Sequence, residues 1–194
     1  MLKKLLIGLV VLLAVLAGAA YLLPREHTVV VTAPVPAPPE VVFPLIETPA
    51  EWPKWSPWNK RDPNMQITYS GPPRGQGATW SWTSASEGDG SMTITQAVPS
   101  VIVKFELTIA GMGPPSDGTF TIAAAPEGSL VEWRMRVDMG NNPIGRWIGL
   151  MMPTWLRQDF TDGLSALGAY AATLPPPEPI MGVEVPMVPD TTPR

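Results

Sequence analysis

Cysteine is absent from the 194 residues and histidine occurs once, as His27. The first absence excludes disulfides, thiol nucleophiles and zinc-thiolate sites together. The second makes a histidine-based metal site or a Ser-His-Asp triad equally hard to build, so no metal, cofactor or catalytic set is expected. His27 itself reads as an exposed residue opening the first strand. Charge is sparse, at 15% of residues, and the formal net charge is −4. Lys3 and Lys4 precede every acidic residue, so the remainder of the chain carries −6. Such a chain has no electrostatic attraction for nucleic acid or an anionic lipid surface. No repeat of fixed period occurs.

Charge is missing altogether over residues 5–23, an apolar run of nineteen residues directly after Lys3 and Lys4. At a rise of about 1.5 Å per residue it just crosses a hydrocarbon core of about 30 Å. Ala17-Gly18-Ala19 offers the small residues of a signal-peptidase site. Tyr21, Leu22 and Leu23 nevertheless continue the apolar run beyond it, which favours a retained anchor over a cleaved signal. The two lysines place the N-terminus in the cytoplasm and the rest of the chain outside it, periplasmic or extracellular. Three segments are expected: an anchor at 1–24, one folded domain at 25–174 and a tail at 175–194. The tail holds seven prolines without periodicity and reads as extended and disordered.

Between anchor and tail the sequence alternates. Val101, Val103, Phe105, Leu107 and Ile109 oppose Ile102, Lys104, Glu106 and Thr108, the period-two pattern of a half-buried strand. Val131, Trp133, Met135 and Val137 oppose Glu132, Arg134, Arg136 and Asp138, the charged set reading as cross-strand ion pairs. Trp80 and Trp82, Met92 and Ile94, Phe120 and Ile122, and Met65, Ile67 and Tyr69 repeat the pattern. These segments describe an antiparallel sheet with one wet face and one apolar face on which no general acid or base stands. Residues 27–35 read as a further strand, held to an edge by Pro34 and Pro36.

Pro39 and Glu40 open a helix with an apolar stripe at Val41, Val42, Leu45 and Ile46, shortened or kinked at Pro44. Residues 48–58 then pack three tryptophans and three prolines into a rigid corner. Turns are expected at Pro72-Pro73-Arg74-Gly75, Gly88-Asp89-Gly90 and Pro126-Glu127-Gly128. Asn142-Pro143 caps a short helix running to about Met152, and Pro153 starts another. In that last helix Leu156, Phe160, Leu164, Leu167, Ala171 and Leu174 form a stripe, and Gly163 and Gly168 imply close approach to the sheet or to a ligand.

The order of these elements makes an α+β domain with a helix lying across a curved sheet. It resembles the START-related, polyketide cyclase-like superfamily (SRPBCC), in the branch that carries one N-terminal membrane segment. The resemblance spans residues 27–173 and rests on Ala37-Pro38-Pro39-Glu40-Val41-Val42-Phe43, on Trp52-Pro53-Lys54-Trp55-Ser56-Pro57-Trp58, and on Ser70-Gly71 with Gly75-Gln76-Gly77-Ala78 and Trp82. It continues in Gly88-Asp89-Gly90 with Ile94, in Val131-Glu132-Trp133, and in residues 159–167. The family resemblance implies a helix-grip fold, six to seven strands wrapped on a long C-terminal helix, with a deep cavity for lipids, sterols, polyketides or other apolar molecules. Gly168 stands where a lysine often follows the Gly-Leu-x-x-Leu motif, so no basic group is implied there.

The candidate ligand-binding residues are Tyr69, Trp80, Trp82, Met92, Ile94, Gln96, Phe105, Leu107, Phe120, Trp133, Met135, Met152, Trp155, Phe160 and Leu164. Tyr69 and Gln96 are the polar groups expected to face inward and orient a ligand. The aromatic and aliphatic members fit a plain core as well as a cavity wall. Met151, Met152 and Trp155 read as core or as an adaptable cavity mouth. Trp52, Trp55 and Trp58 read as a structural plug before they read as ligand or membrane contacts. Asp159 and Asp162, three apart, form a solvated helix face rather than a dyad. The expected function is a membrane-tethered, extracytoplasmic and monomeric binding module for an apolar or amphipathic small molecule, lipid included. The alternatives are a cyclase or dehydratase in which Tyr69 or Asp159 handles protons, and an adaptor or stress-related domain with a filled core.

Overall fold

Period-two alternation through the middle of the chain folds into a meander, and an early strand closes its far edge, in a computed structural model of the protein that describes residues 1–175. After the apolar helix α1 (Leu2–Ala20) come β1 (Glu26–Val35), α2 (Pro39–Glu47), a 3₁₀ turn (Pro49–Lys54) and α3 (Pro57–Arg61). The meander is β2 (Gln66–Ser70), β3 (Thr79–Thr83), β4 (Gly90–Val98), β5 (Ile102–Ile109), β6 (Ser116–Ala125) and β7 (Gly128–Asp138). Helices α4 (Pro143–Gly149) and α5 (Met152–Ala171) follow. The sheet order is β1-β7-β6-β5-β4-β3-β2, antiparallel throughout. The tail beyond residue 175 lies outside the described residues.

Helix α5 crosses the concave face and presents the expected stripe: Phe160, Leu164 and Leu167 are fully buried and Ala171 nearly so. Removing each large apolar side chain from water contributes about 1.5–3 kcal/mol, which holds the helix on the sheet despite two interior glycines. Those glycines permit the approach. A Cβ on Gly163 would lie 2.9 Å from the Trp133 ring, and one on Gly168 would touch Pro36 and the Val35 backbone.

The tryptophan corner has a hydrogen-bonding cause. The helical acceptor Leu45 carbonyl should receive the N–H of residue 49, but Pro49 has none. The Trp55 indole donates to that carbonyl instead, at 3.1 Å, and the Trp52 indole donates to the Ile46 carbonyl at 2.9 Å. Two orphaned carbonyls at the end of α2 are satisfied by the rings that the corner buries.

Three local expectations are corrected. Val101 sits 51% exposed in the β4–β5 turn, where its N–H donates to the Val98 carbonyl, and β5 begins one residue later. His27 is half-buried against Gly149 instead of exposed. Of the expected cross-strand ion pairs, Arg136 reaches Glu26 and Asp117 on the two neighbouring strands, whereas Arg134 pairs with Glu132 along its own strand.

Candidate functional site

The space between sheet and helices divides in two. Toward β1, β7 and β6 it is solid: Trp133 stacks on Phe160 with ring centroids 4.1 Å apart, Phe120 lies 4.6 Å from Trp133, and Trp52 and Trp55 fit between them from the corner. Phe105 is 2% exposed, its ring laid over Gly118 of the neighbouring strand so closely that a Cβ there would overlap it.

Toward β3, β4 and β5 the space is hollow. A cavity of about 190 Å³ is walled by Trp80, Trp82, Met92 and Leu107 from the sheet. Trp52, Trp58 and Ser56 close it from the corner, Leu156 from α5, and Met65, Ile109 and the exposed Met112 complete the lining. Trp82 is fixed in place by lying over Gly90 and by its indole donating to the Gly88 carbonyl at 2.9 Å. A side chain on Gly90 would strike that ring at 2.5 Å, so the turn expected from Gly88-Asp89-Gly90 also serves as the seat of a cavity-wall tryptophan.

Polar chemistry is confined to one side. Glu87 and Asn59 reach the cavity, and Asn59 donates to the Met65 sulfur at 3.5 Å. The Arg61 guanidinium binds Glu87 at 2.7 Å and Asp159 at 2.6 Å, while the Trp58 indole donates to Asp159 at 3.0 Å. These contacts tie α3, the β3–β4 turn and α5 together beside the opening. Hydrogen bonds and charge from both carboxylates hold the Arg61 pKa above its ordinary value. Glu87 is thus engaged by two guanidinium hydrogen bonds, and the site offers apolar burial rather than a free proton carrier. Asp159 and Asp162 do not act as a pair, since Asp162 accepts from Gln158. Among the described residues no cluster of three His, Asp or Glu side chains converges as a metal site would need.

Of the candidate residues, Trp80, Trp82, Met92 and Leu107 line the cavity. Ile94, Phe105, Phe120, Trp133, Met135, Met152, Phe160 and Leu164 are buried in the core instead. Tyr69 pairs with Trp80 and so shares the concave face, but on the edge strand β2 it remains 48% exposed, with partial burial raising its phenol pKa. Gln96 turns outward. A bulge between Ile94 and Gln96 sets Ile94 against Phe105 and Gln96 against the outward-facing Lys104, so the extra residue reverses the alternation. Trp155 is 52% and Met151 56% exposed, neither core nor cavity mouth, because their face of the helix has no part of the domain above it. The cavity residues missing from the candidate set come mainly from the corner, α3 and the loops, where no periodicity marks the inward direction.

A meander closed by the early strand β1 and gripping a long C-terminal helix defines the helix-grip class of fold. The family model described as "Polyketide cyclase / dehydrase and lipid transport" matches residues 26–172, and the chain belongs to that family. Solved structures agree in fold. Protein CV1439 from Chromobacterium violaceum superposes with a TM-score of 0.56 at 16% identity, covering 74% of this chain and 96% of that one. Ara h 8.0201 gives 0.56 at 15% identity, with 77% and 99% covered. CalU16 from Micromonospora echinospora gives 0.52 at 16% identity, with 79% of each chain covered. No curated protein matches the sequence.

Proposed function

We propose that this protein is a membrane-tethered module that binds a small apolar or amphipathic molecule in the cavity bounded by Trp80, Trp82, Met92 and Leu107, outside the cytoplasm. The observation that carries the reading is a cavity with a mainly apolar wall beside a core filled elsewhere by aromatic rings. A cavity lined by carbon and open at one side loses dispersion contacts and water cohesion until an apolar occupant enters. At about 190 Å³ it accommodates a single small ring or a segment of an acyl chain, with the rest of a longer ligand emerging past Met112. The polar groups at Glu87, Asn59 and Arg61 stand where an amphipathic ligand's head would lie.

Tethering is supported by α1, whose nineteen residues have a mean hydropathy of 2.2 with their apolar side chains exposed from Leu2 to Leu16. Its exit is held by the folded domain: Arg146 donates to the Tyr21 and Leu23 carbonyls, and the Trp147 indole donates to the Leu16 carbonyl, upstream of Ala17-Gly18-Ala19, a contact that supports a retained anchor over a cleaved signal. Lys3 and Lys4 orient the domain outward. The folded unit of this reading is residues 25–174. Native mass spectrometry of the purified full-length protein tests it. A small apolar molecule should be carried by the wild type and lost in Leu107→Trp, which fills the cavity. Wild-type protein that carries nothing and takes up no added apolar probe would turn the reading toward the adaptor alternative.

A further inference from the structure

Helix α4 is inside out. Ile144, Trp147 and Ile148 recur at i, i+3 and i+4, the spacing of one helical face, and Met151 continues the strip where α4 gives way to α5. That face points away from the protein, with exposures of 69%, 39%, 40% and 56%, and Trp155 extends it at 52%. The inward face carries Gly145, Gly149 and Arg146. A Cβ on Gly149 would strike His27 and Met139. Arg146 is only 9% exposed, its guanidinium spent on the Gly140, Tyr21 and Leu23 carbonyls and lying 5.1 Å from the Tyr21 ring. From residue 139 to 156 Arg146 is the only charged side chain. With Arg146 turned inward, the exposed side of this strip carries apolar side chains and no charge.

The position of the strip identifies what covers it. The Trp147 indole donates to the Leu16 carbonyl at 3.2 Å. Leu16 lies four residues before the end of α1 at Ala20, about 6 Å back along the helix axis. If α1 fills the hydrocarbon core, Trp147 stands at the boundary between acyl chains and headgroups, the depth at which tryptophan is enriched. We infer that the face of Ile144, Trp147, Ile148 and Met151, with Trp155, docks into the bilayer surface beside the span, so that the domain lies on the membrane in a fixed orientation. The surface is neutral, so apolar insertion drives the docking and zwitterionic lipid suffices. This inference rests on the reading of α1 as a membrane span, and its test separates the two.

The full-length chain has no native cysteine, so single spin labels report single sites. Labels are placed through Ile148→Cys in the strip, Leu9→Cys in α1 and Thr121→Cys on the outer face of β6, and the protein is reconstituted in phosphatidylcholine vesicles. Accessibility to oxygen and to a neutral nickel chelate is then measured by power saturation. The label at 148 should show a several-fold higher ratio of oxygen to nickel access than the label at 121, at a depth shallower than that at 9. A label at 148 as open to nickel as that at 121, with 9 in the hydrocarbon, would overturn docking and leave the anchor standing. A label at 9 exposed to nickel would overturn the anchor and the docking with it. Dipolar broadening at 148 between two copies would assign the strip to self-association and likewise overturn the bilayer assignment.

Discussion

The two ends of the same sheet are built from the same kind of strand and end in different states. At the β1-β7-β6 end, α5 covers the concave face and Trp133, Phe120, Phe160, Trp52 and Trp55 interlock. At the β3-β4-β5 end the strands carry equally large residues, yet Trp80, Trp82, Met92 and Leu107 surround empty space. The difference comes from what lies above. Gly163 lets α5 press onto Trp133 and the corner drives two indoles into the same region, whereas Trp80, Trp82, Met92 and Leu107 are faced across the cavity by Leu156 and by side chains of the corner and α3. A helix-grip domain thus confines its cavity by filling one end with aromatic rings, without changing the strand pattern.

The largest effect that separates the two ends is truncation. Trp133→Ala and Phe120→Ala should each cost about 3–5 kcal/mol, because both side chains are fully packed at the solid end. Trp82→Ala should cost under about 2 kcal/mol, since its ring already faces open space, and should weaken binding of an apolar probe as well. Chemical denaturation with a parallel probe titration measures both. Equal penalties at both ends would erase the distinction.

A smaller effect concerns the clamp beside the opening. Arg61→Ala breaks both ion pairs, but the side chain is 43% exposed and screened by solvent, so stability should fall by only about 1 kcal/mol. Release of a bound probe should accelerate as α3, the β3–β4 turn and α5 part. Stopped-flow release measurements that show no change would separate the clamp from the cavity.

The smallest effect lies at the end of α2. Burial is the main cause that raises the Glu47 pKa above 4.5, with Arg74 opposing from 3.9 Å. A raised folded-state value favours folding below 4.5 and withdraws that support as pH rises through it. Glu47→Gln should therefore be slightly more stable than wild type at pH about 7, the gap closing at pH about 4, in thermal melts. A gap that persists in acid would place its origin elsewhere.

The sheet and α5 were legible because alternation and helical spacing report burial directly. Met92, Trp133, Phe160 and Leu164 all face the side their period assigns. The cavity was legible only in part, because period-two alternation gives the same pattern for a filled and a hollow concave face. Phe105 and Trp82 look alike in sequence, and their fates depend on Gly118 and Gly90 in neighbouring strands and on where the corner inserts its rings. Gln96 was misread because a bulge adds a residue without leaving a mark in composition. The outward face of α4 was hidden for a different reason: an apolar helical stripe is ordinarily read as core.

The central claim is that the hollow end binds an apolar molecule while the solid end does not. Methionine-methyl NMR of the full-length protein in lipid nanodiscs, titrated with toluene, tests it directly, since Met65, Met92 and Met112 border the cavity and Met135 lies in the packed core. The account predicts saturable shifts at Met65, Met92 and Met112 with Met135 unmoved. Saturable shifts at Met135 alone, or none at the three cavity methyls, would contradict it.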